Sequence, residues 1–472
     1  MSKGKKDLLS NIRNGMELSR GEKISLALRL SMPAMMAQIT SIVMQYIDAS
    51  MVGRLGSDAS ASIGLVATTT WLFGSVCSSA AAGFSIQVAQ EIGAKNFKRA
   101  RQVLRQSYIV VFAVALILAL TGAAISGRLP FWLGGAGEIC KDASRYFMIY
   151  AWMLLPMALN GLAGSMLQCS GNMKVPGILN SCMCILDVVF NLFFIFPSWN
   201  LTLGNVTFRV PGAGLGVMGA ALGTACAELV IMCMMMSWLI FRTPLLRARS
   251  GEDYRLELSC VKRAAVLALP IGFEHFVVCL AQVFATKIVA PLGVVAIAAN
   301  SFAVTAESLC YMPGYGIANA ATTLTGQSVG AGRGKLAMSF GRITVGMGMA
   351  LMAVTGALMY LAAPFMIGLL SPDPAVRELG AKILRIEAFA EPLFGASIVA
   401  AGVLRGAGDT LIPSIMNLVS LWGVRLPLSF LLAGTFGLRG VWIAMAVELC
   451  FRGTIFLVRL FRQKWLKNIR NV

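Results

Sequence analysis

Asp48 lies inside the first long apolar stretch of the chain, where lipid solubility favours leucine or alanine. A carboxylate in a membrane-spanning helix costs on the order of 2.5–3.5 kcal/mol on insertion scales, so such a residue is first interpreted as functional. Gln45, Ser41 and Gln38 precede it by three, seven and ten positions, which places them on its face of a helix. The alternative is a surface pair between Asp48 and Arg54. We favour a polar stripe that ends in a buried acid, because a surface pair needs no glutamines below it.

Few other ionisable side chains fall inside the apolar stretches, and they are Asp187, Glu228, Glu274, His275, Glu307, Glu387, Glu391 and Glu448. Asn191 follows Asp187 by four residues, so a helix places the two on one face. The first predicted site for a coupling ion combines Asp48 with Asp187 and Asn191. The second combines Glu274 with Glu391.

The remaining buried acids have simpler interpretations. For Glu228, Glu307 and Glu448 we favour a hydrogen bond that packs one helix against another. Glu387 has basic neighbours near a predicted outer span end, so we expect it in solvent. His275 could relay protons, but a single histidine beside a glutamate is more often part of a packing hydrogen bond.

The paired acids suggest an exchanger. A carboxyl group in a low-dielectric cavity holds its proton until a cation approaches, so that proton release is linked to cation arrival. Asp48 and Asp187 would share one proton if they face each other. We also predict a central cavity for the transported molecule, lined by Gln38, Gln45, His275 and Gln282.

Other chemistries lack the residues that they need. The segment GAGRGK (330–335) fails the phosphate-loop spacing, because leucine follows its lysine, and we interpret it as a tight turn. One histidine in 472 residues leaves no zinc signature and no Ser-His-Asp pattern. We therefore expect no cofactor and no enzyme activity. A membrane-embedded enzyme or a receptor is the alternative from another class.

The composition is that of an all-α polytopic membrane protein. The chain is 57% hydrophobic and 13% charged, and its mean hydropathy is +0.75. Only helices and closed barrels satisfy every backbone polar group in lipid, and apolar stretches near twenty residues favour helices. We predict twelve transmembrane helices, roughly over 24–52, 59–86, 107–127, 144–167, 176–197, 217–242, 262–290, 296–323, 339–366, 384–404, 412–434 and 438–460.

The distribution of charge sets the predicted topology. The net charge of +19 does not indicate nucleic-acid binding, because most of the 40 lysines and arginines fall in the termini and even-numbered loops. The positive-inside rule then places both termini in the cytoplasm of a cell with a bacterial-type inner membrane. We expect a monomer in that plasma membrane, surrounded by lipid. The predicted segments are an N-terminal tail (1–23), an N-lobe (24–242), a linker (243–261), a C-lobe (262–460) and a C-terminal tail (461–472).

The two halves of the sequence repeat with an offset of 237 residues. Pro33 corresponds to Pro270, Gln45 to Gln282, and the segment around Gln90 to the segment around Gln327. Each unit has six spans, so both have the same orientation in the membrane. We predict two pseudo-symmetric six-helix lobes around a central cavity, related by a two-fold axis along the membrane normal. The acids do not repeat, since Asp48 corresponds to an alanine and Asp187 to a valine.

Four segments resemble the motifs of one family, the multidrug and toxic compound extrusion (MATE) transporters. They are LGVVAIAANSFAVTAESLCYMPGYGIANAATTLTGQSVGAG (292–332), QVAQEIGAKNFKRA (87–100), IDASMVGRLG (47–56) and GVLRGAGDTLIP (402–413). The resemblance covers essentially the whole chain. It implies two six-helix lobes, a central cavity, and export of cationic amphiphilic drugs or other organic cations in exchange for protons or sodium.

The resemblance also assigns residues. Asp48 matches the coupling acid of the family's first span, while Asp187 and Asn191 reverse the order in which some members carry these two types. Glu274 and Glu391 lie near the cation site of sodium-driven members, which implies a sodium site there. A flippase for lipid-linked precursors, from the same wider superfamily, is the second hypothesis. That function needs basic residues in the cavity, and the buried charges here are mainly acidic.

Overall fold

The computed structural model describes residues 8–135, 137–203, 206–247 and 257–466. Parts of the two predicted tails (1–7 and 467–472) and of the predicted linker (248–256) lie outside these residues. The prediction of twelve membrane-spanning helices is confirmed. Among the described residues, eleven helices are long and apolar enough to cross a membrane, and one bent pair of helices supplies the twelfth span.

The described part of the first half of the chain contains eight helices and one hairpin. Its helices are α1 (Leu8–Arg13), α2 (Arg20–Gly53), α3 (Ser57–Gly93), α4 (Phe97–Ile125), α5 (Leu129–Trp132), α6 (Gly137–Cys169), α7 (Lys174–Ile195) and α8 (Val217–Arg242). The segment between α7 and α8 forms an antiparallel pair of strands, β1 (Pro197–Leu203) and β2 (Val206–Ala213). This hairpin is the exception to the all-α prediction.

The second half of the described chain follows the same order. It contains α9 (Leu258–Val289), a 3-10 turn (Ala290–Leu292), α10 (Val294–Gly330), α11 (Gly334–Leu370), α12 (Pro374–Ala388), α13 (Glu391–Gly406), α14 (Leu411–Ser420), a π-helical turn (Leu421–Arg425), α15 (Leu426–Phe436) and α16 (Leu438–Phe461). The tenth span, predicted as one helix over 384–404, is the bent pair: α12 and α13 meet at 59°. Pro392 follows the first residue of α13, and a proline disfavours helical backbone in the residue before it.

Local sequence signals set several helix ends. Ser19 and Glu22 form a capping box at the start of α2, since each side chain bonds to the other's backbone N–H. Asp373 caps α12, where Pro374 occupies the first turn. Gly56 and Gly293, which correspond under the 237-residue offset, precede α3 and α10 with φ of 116° and 99°. Both turns therefore need a residue that tolerates positive φ.

The halves meet along four long helices. In the interface α2 packs against α10, and α3 packs against both α9 and α10. The largest cluster of buried apolar residues lies mainly in the N-lobe and includes Leu154 and Leu162, and another lies within the C-lobe and includes Leu384 and Trp442. Burying such side chains against their own lobe leaves the interface between the lobes free to carry polar groups.

One end of this interface is closed by a pair of equivalent contacts. Gln90 donates its amide N–H to the carbonyl oxygen of Gly406 at 3.2 Å, and Gln327 donates to that of Cys169 at 2.7 Å. The residue numbers of the two donors differ by 237, and so do those of the two acceptors. Each bond crosses from one lobe to the other. A Cβ built on Gly93 or Gly330 would overlap the backbone of Gln327 or Gln90 respectively. We call these two bonds and two glycines the glutamine latch.

The latch lies at the face of the molecule to which most lysines and arginines belong, which we call the basic face. Both ends of the described chain reach this face. Arg333 donates to the backbone carbonyls of Ile12, in the last turn of α1, and of Met16, just after that helix, at 3.3 and 2.8 Å. Trp465, near the other end, is buried among apolar residues that include Leu404. The two ends therefore lie on the same side of the helical bundle.

Candidate functional site

The first predicted coupling site is assembled in the N-lobe. Asn191 donates its amide N–H groups to Asp48 at 3.0 Å and to Asp187 at 2.9 Å, so that α2 and α7 are joined through one amide. The two carboxyl groups also lie within hydrogen-bonding reach of each other. Asp187 is 0% exposed, whereas Asp48 is half-buried. We call these three residues the acid pair and its bridging asparagine.

Two oxygen atoms of this cluster are left without hydrogen bonds. They are Oδ1 of Asp187 and Oδ1 of Asn191, both buried. Unpaired buried oxygen atoms are costly unless a proton or a cation satisfies them. Gly223 of α8 packs directly against the Asn191 side chain, where a Cβ would overlap the amide oxygen. The arrangement can therefore accept one proton between two carboxylates, or a small cation between oxygen atoms.

A cavity of about 580 Å³ lies deeper in the N-lobe. Its walls come from α2, α3, α6, α7 and α8, with His275 of α9 as the contribution of the C-lobe. They include amides, hydroxyls, methionines, aromatic rings and one carboxyl group, namely Gln38, Ser41, Met44, Trp71, Ser75, Ser78, Tyr150, Met157, Asn160, Asn180, Met183 and Glu228. Volume and lining suit a drug-sized amphiphile, because polarizable side chains adapt to many shapes.

Two smaller cavities extend this space toward the C-lobe. One of 200 Å³ shares Ser78 and His275 with the large cavity, and reaches Arg405. The other, of 90 Å³, shares Arg405 with it and ends at Glu274. Polar side chains thus form a continuous path from the cavity of the N-lobe to the acid of α9. The glutamine latch lies between this path and the basic face, since it joins the last turns of α3, α6, α10 and α13.

The carboxyl group of Glu274 is hydrogen-bonded by three other residues of the C-lobe and not by Glu391. Arg405 donates to both of its carboxyl oxygens at 3.0 Å, Ser414 donates at 2.8 Å, and Asn417 donates at 2.6 Å. Three donor groups thus make four hydrogen bonds to this buried carboxylate, which satisfies it fully. The structure therefore does not bring Glu274 and Glu391 into one contact set, although both are buried as predicted for coupling residues.

Glu391 belongs to a second acidic cluster. Glu307 and Glu387 lie within hydrogen-bonding reach of each other, and Cys310 lies beside Glu391. Apart from these contacts, neither carboxyl oxygen of Glu387 or Glu391 has a hydrogen-bond partner in the described part of the chain. Three carboxylates this close repel one another, so the cluster needs a shared proton or the positive charge of a neighbouring side chain. Arg425 supplies nearby positive charge.

The expectation that Glu387 lies in solvent is wrong. Its side chain is 0% exposed and faces the inside of the C-lobe. The basic neighbours that suggested solvent point elsewhere: Lys382 pairs with Glu378, and Arg385 lies over the ring of Tyr360. The helical spacing places Lys382 and Arg385 on one side of α12 and Glu387 on another.

Two of the four predicted cavity residues line the large cavity, and two do not. Gln38 and His275 belong to its walls. Gln45 and Gln282 are exposed and lie outside it. Gln282 follows the lining residue His275 by seven positions, which is about 10 Å further from the basic face. Gln45 directly follows the lining residue Met44 and therefore faces a different side of α2. The stripe on α2 is real, but the cavity covers only its first part.

Several residues of the site were not predicted. Arg405 and Asn417 are the main partners of Glu274, and Asn160 donates to Glu228 at 2.8 Å. Arg405 is a basic residue at the end of an apolar stretch, and this was a signal that could have indicated a buried ion pair. Within residues 8–135, 137–203, 206–247 and 257–466, no group of three or more His, Cys, Asp or Glu side chains is placed to hold a metal ion.

A family model matches the chain twice. The model described as MatE covers residues 33–193 and 270–431, and the starts of the two matched segments differ by 237, the offset of the internal repeat. Curated relatives match over nearly the whole length. "Probable multidrug resistance protein NorM" of Thermotoga maritima is 25% identical, covering 93% of this chain and 92% of the relative. A protein of the same name from Pseudomonas syringae pv. tomato is 29% identical, covering 95% and 96%.

Solved structures share the fold. A crystal structure of a MATE protein in complex with MaL6 aligns with a TM-score of 0.88 at 19% identity, covering 97% of this chain and 99% of the other. A structure described as the outward-facing conformation of a multidrug resistance MATE family transporter of the MOP superfamily has a TM-score of 0.88 at 19% identity, covering 98% of both chains. These similarities concern the arrangement of the twelve spans.

Proposed function

The chain belongs to the MatE family, and from this premise we propose that it is a multidrug efflux transporter, an antiporter that exports cationic amphiphilic molecules in exchange for protons or sodium. Its family consists of transporters rather than enzymes. The observation that carries the proposal is the position of the acid pair and its bridging asparagine on α2 and α7, two helices that also line the 580 Å³ cavity.

The geometry suggests how ion binding changes the cavity. Asn191 joins Asp48 of α2 to Asp187 of α7 only while its amide faces both carboxyl groups. A proton or sodium ion that enters the cluster replaces part of this bonding and alters the contact between the two helices. Because Gln38 and Asn180 of these helices line the cavity, the change reaches the substrate. A one-for-one exchange of monovalent cations moves no net charge, so the ion gradient alone would drive it.

The latch supports a direction of transport. It closes the basic face, which the positive-inside rule assigns to the cytoplasm. In this conformation the cavity would be shut toward the cytoplasm, and both termini would lie there, in the plasma membrane of a bacterial-type cell. Alternating access then requires the latch to part so that the substrate can enter. We expect a single chain to be sufficient, because the cavity lies within one bundle.

The experiment that tests this proposal is efflux of a fluorescent organic cation from proteoliposomes. Gradients of protons and of sodium are imposed separately, so that the coupling ion is identified by the gradient that drives efflux. The Asp48→Asn variant keeps the hydrogen bond to Asn191 but removes the charge, and it should abolish gradient-driven efflux. Glu138→Gln is the matched control, because Glu138 is exposed and pairs only with Lys141 among its described ion pairs. Full efflux by the Asp48→Asn protein would refute the coupling role.

The flippase alternative is less well supported. A phosphate-bearing substrate needs basic groups that are free to bind it. Arg405, which lines the polar path, is engaged by Glu274, and Arg452 is engaged by Glu448 at 3.1 Å. The large cavity itself has an acid in its wall and neither lysine nor arginine among the residues that line it.

A further inference from the structure

The large cavity of the N-lobe contains one carboxyl group, that of Glu228. The side chain is only 7% exposed, yet it lies in the cavity wall. Asn160 donates to Oε2 at 2.8 Å, which fixes the carboxyl group against α6. The sequence favoured a packing role for this residue. The structure adds that the group faces a space large enough for a ligand, where no lysine or arginine of the lining balances it.

Other lining residues complement a cation that carries apolar groups. Trp71 is 47% exposed and contacts His275 edge-on, with ring centroids 5.6 Å apart. The hydroxyl of Tyr150 donates to the carbonyl of Thr70, so its ring is held in place. Aromatic faces attract organic cations, and methionines accommodate apolar substituents of varied shape. A carboxylate among such groups favours a positive ligand over a neutral one.

We propose that Glu228 is the counter-ion of the exported cation, at a site separate from the acid pair that binds the coupling ion. This rests on the proposed function, and it adds the residue that selects the charge of the substrate. Glu228 does not exchange hydrogen bonds with Asp48, Asp187 or Asn191 among the described bonds; its bond goes to Asn160.

The two sites are nevertheless close enough to interact. Asp187 and Glu228 lie close enough to influence each other electrostatically. A negative acid pair therefore strengthens the attraction of the cavity for a cation, and a proton or sodium ion on that pair weakens it. Competition between the coupling ion and the substrate then needs no shared ligand.

The test is equilibrium binding in detergent, without any gradient. The probes are tetraphenylphosphonium, a monovalent organic cation, and triphenylphosphine oxide, which is neutral. Glu228→Gln preserves the shape of the side chain and its bond to Asn160, and it should weaken binding of the cation by roughly 30-fold or more, as expected for removal of one buried partner of a charge pair. Binding of the neutral probe should stay the same. Glu228→Asp, which retains the charge, should recover most of the affinity for the cation.

The outcomes are distinct from those of the efflux experiment. Equal affinity of the wild-type and Glu228→Gln proteins for tetraphenylphosphonium would overturn the counter-ion role, even if gradient-driven efflux persists. An equal loss of affinity for both probes would also overturn it, because it would indicate a structural role. If the wild-type protein binds the cation through Glu228 but no gradient drives efflux, the proposed antiport fails and the counter-ion assignment stands.

Discussion

Substituting one glycine of the latch should shift the protein toward a state that is open at the basic face. A Cβ on Gly330 would lie 2.6 Å from the carbonyl carbon and 2.8 Å from the Cα of Gln90. Both atoms are backbone, so α3 and α10 must separate to admit it. We therefore expect Gly330→Ala to destabilise the closed basic face specifically.

The expected magnitude follows from two contributions. Overpacking of a close contact costs about 1–3 kcal/mol. Separation of the helices also stretches the bonds from Gln90 to Gly406 and from Gln327 to Cys169, and each is worth about 0.5–1.5 kcal/mol. The sum is about 2–6 kcal/mol against the closed state. Moving a two-state equilibrium from 99:1 to 1:99 requires about 5.5 kcal/mol, so the open state should become a major population.

Distance measurements between two spin labels can report this shift. Lys98 and Lys335 are exposed, correspond under the 237-residue offset, and begin α4 and α11 at the basic face. With both changed to cysteine in an active, otherwise cysteine-free background, Gly330→Ala should increase the population at longer distance. Gly346→Ala is the matched control, because a Cβ there meets no atom within 4 Å. An unchanged distance distribution, or an equal change in the control, would refute the assignment of the latch.

Two further substitutions probe the acid pair of the N-lobe and the ion pair of Glu274 with Arg405. Gly223→Ala should displace Asn191 and reduce gradient-driven efflux about fivefold or more, given about 1–3 kcal/mol of overpacking. Gly64→Ala, with open space around its Cβ, should leave efflux intact. Normal efflux by the Gly223→Ala protein would contradict the role of the amide. Arg405→Met should lower the free energy of unfolding in detergent by about 3–5 kcal/mol, because it leaves Glu274 buried without its cation. Adding Glu274→Gln to that variant should restore much of the thermal stability, and an unchanged melting temperature in the single variant would contradict the ion pair.

The sequence was informative where a local period or the repeat determined the answer. Helical spacing placed Asp187 and Asn191 on one face, and the apolar stretches gave the number of spans. The 237-residue offset indicated equivalent positions in the two halves, and Gln90 and Gln327 make equivalent bonds. These features depend on residues that are close in sequence or related by duplication, so their geometry needs no knowledge of distant contacts.

The remaining features depend on contacts between distant segments. Glu274 and Arg405 are 131 residues apart, and only the packing of α9 against the end of α13 brings them together. Glu387 is buried because its face of α12 packs against α10 beside Glu307, and the break between α12 and α13 then gives α13 a new direction. The sequence Glu391–Pro392 was a usable sign of that break. The carboxyl group of Glu228 reaches the cavity because Asn160 holds it, and no spacing rule predicts this pairing.

The position of the glutamine latch determines which groups line the opening that forms at the basic face when the latch separates. Four helices end there, since α3 ends at Gly93, α6 at Cys169, α10 at Gly330 and α13 at Gly406. A helix carries the equivalent of about half a negative elementary charge at its C-terminus. Once the glutamines release the carbonyls, water can enter and this ring of backbone oxygen atoms faces the incoming solute. The main chain of this opening is then electronegative and favours a cation over an anion, whereas the basic side chains around it, such as Arg263 beside Gln90, act in the opposite sense.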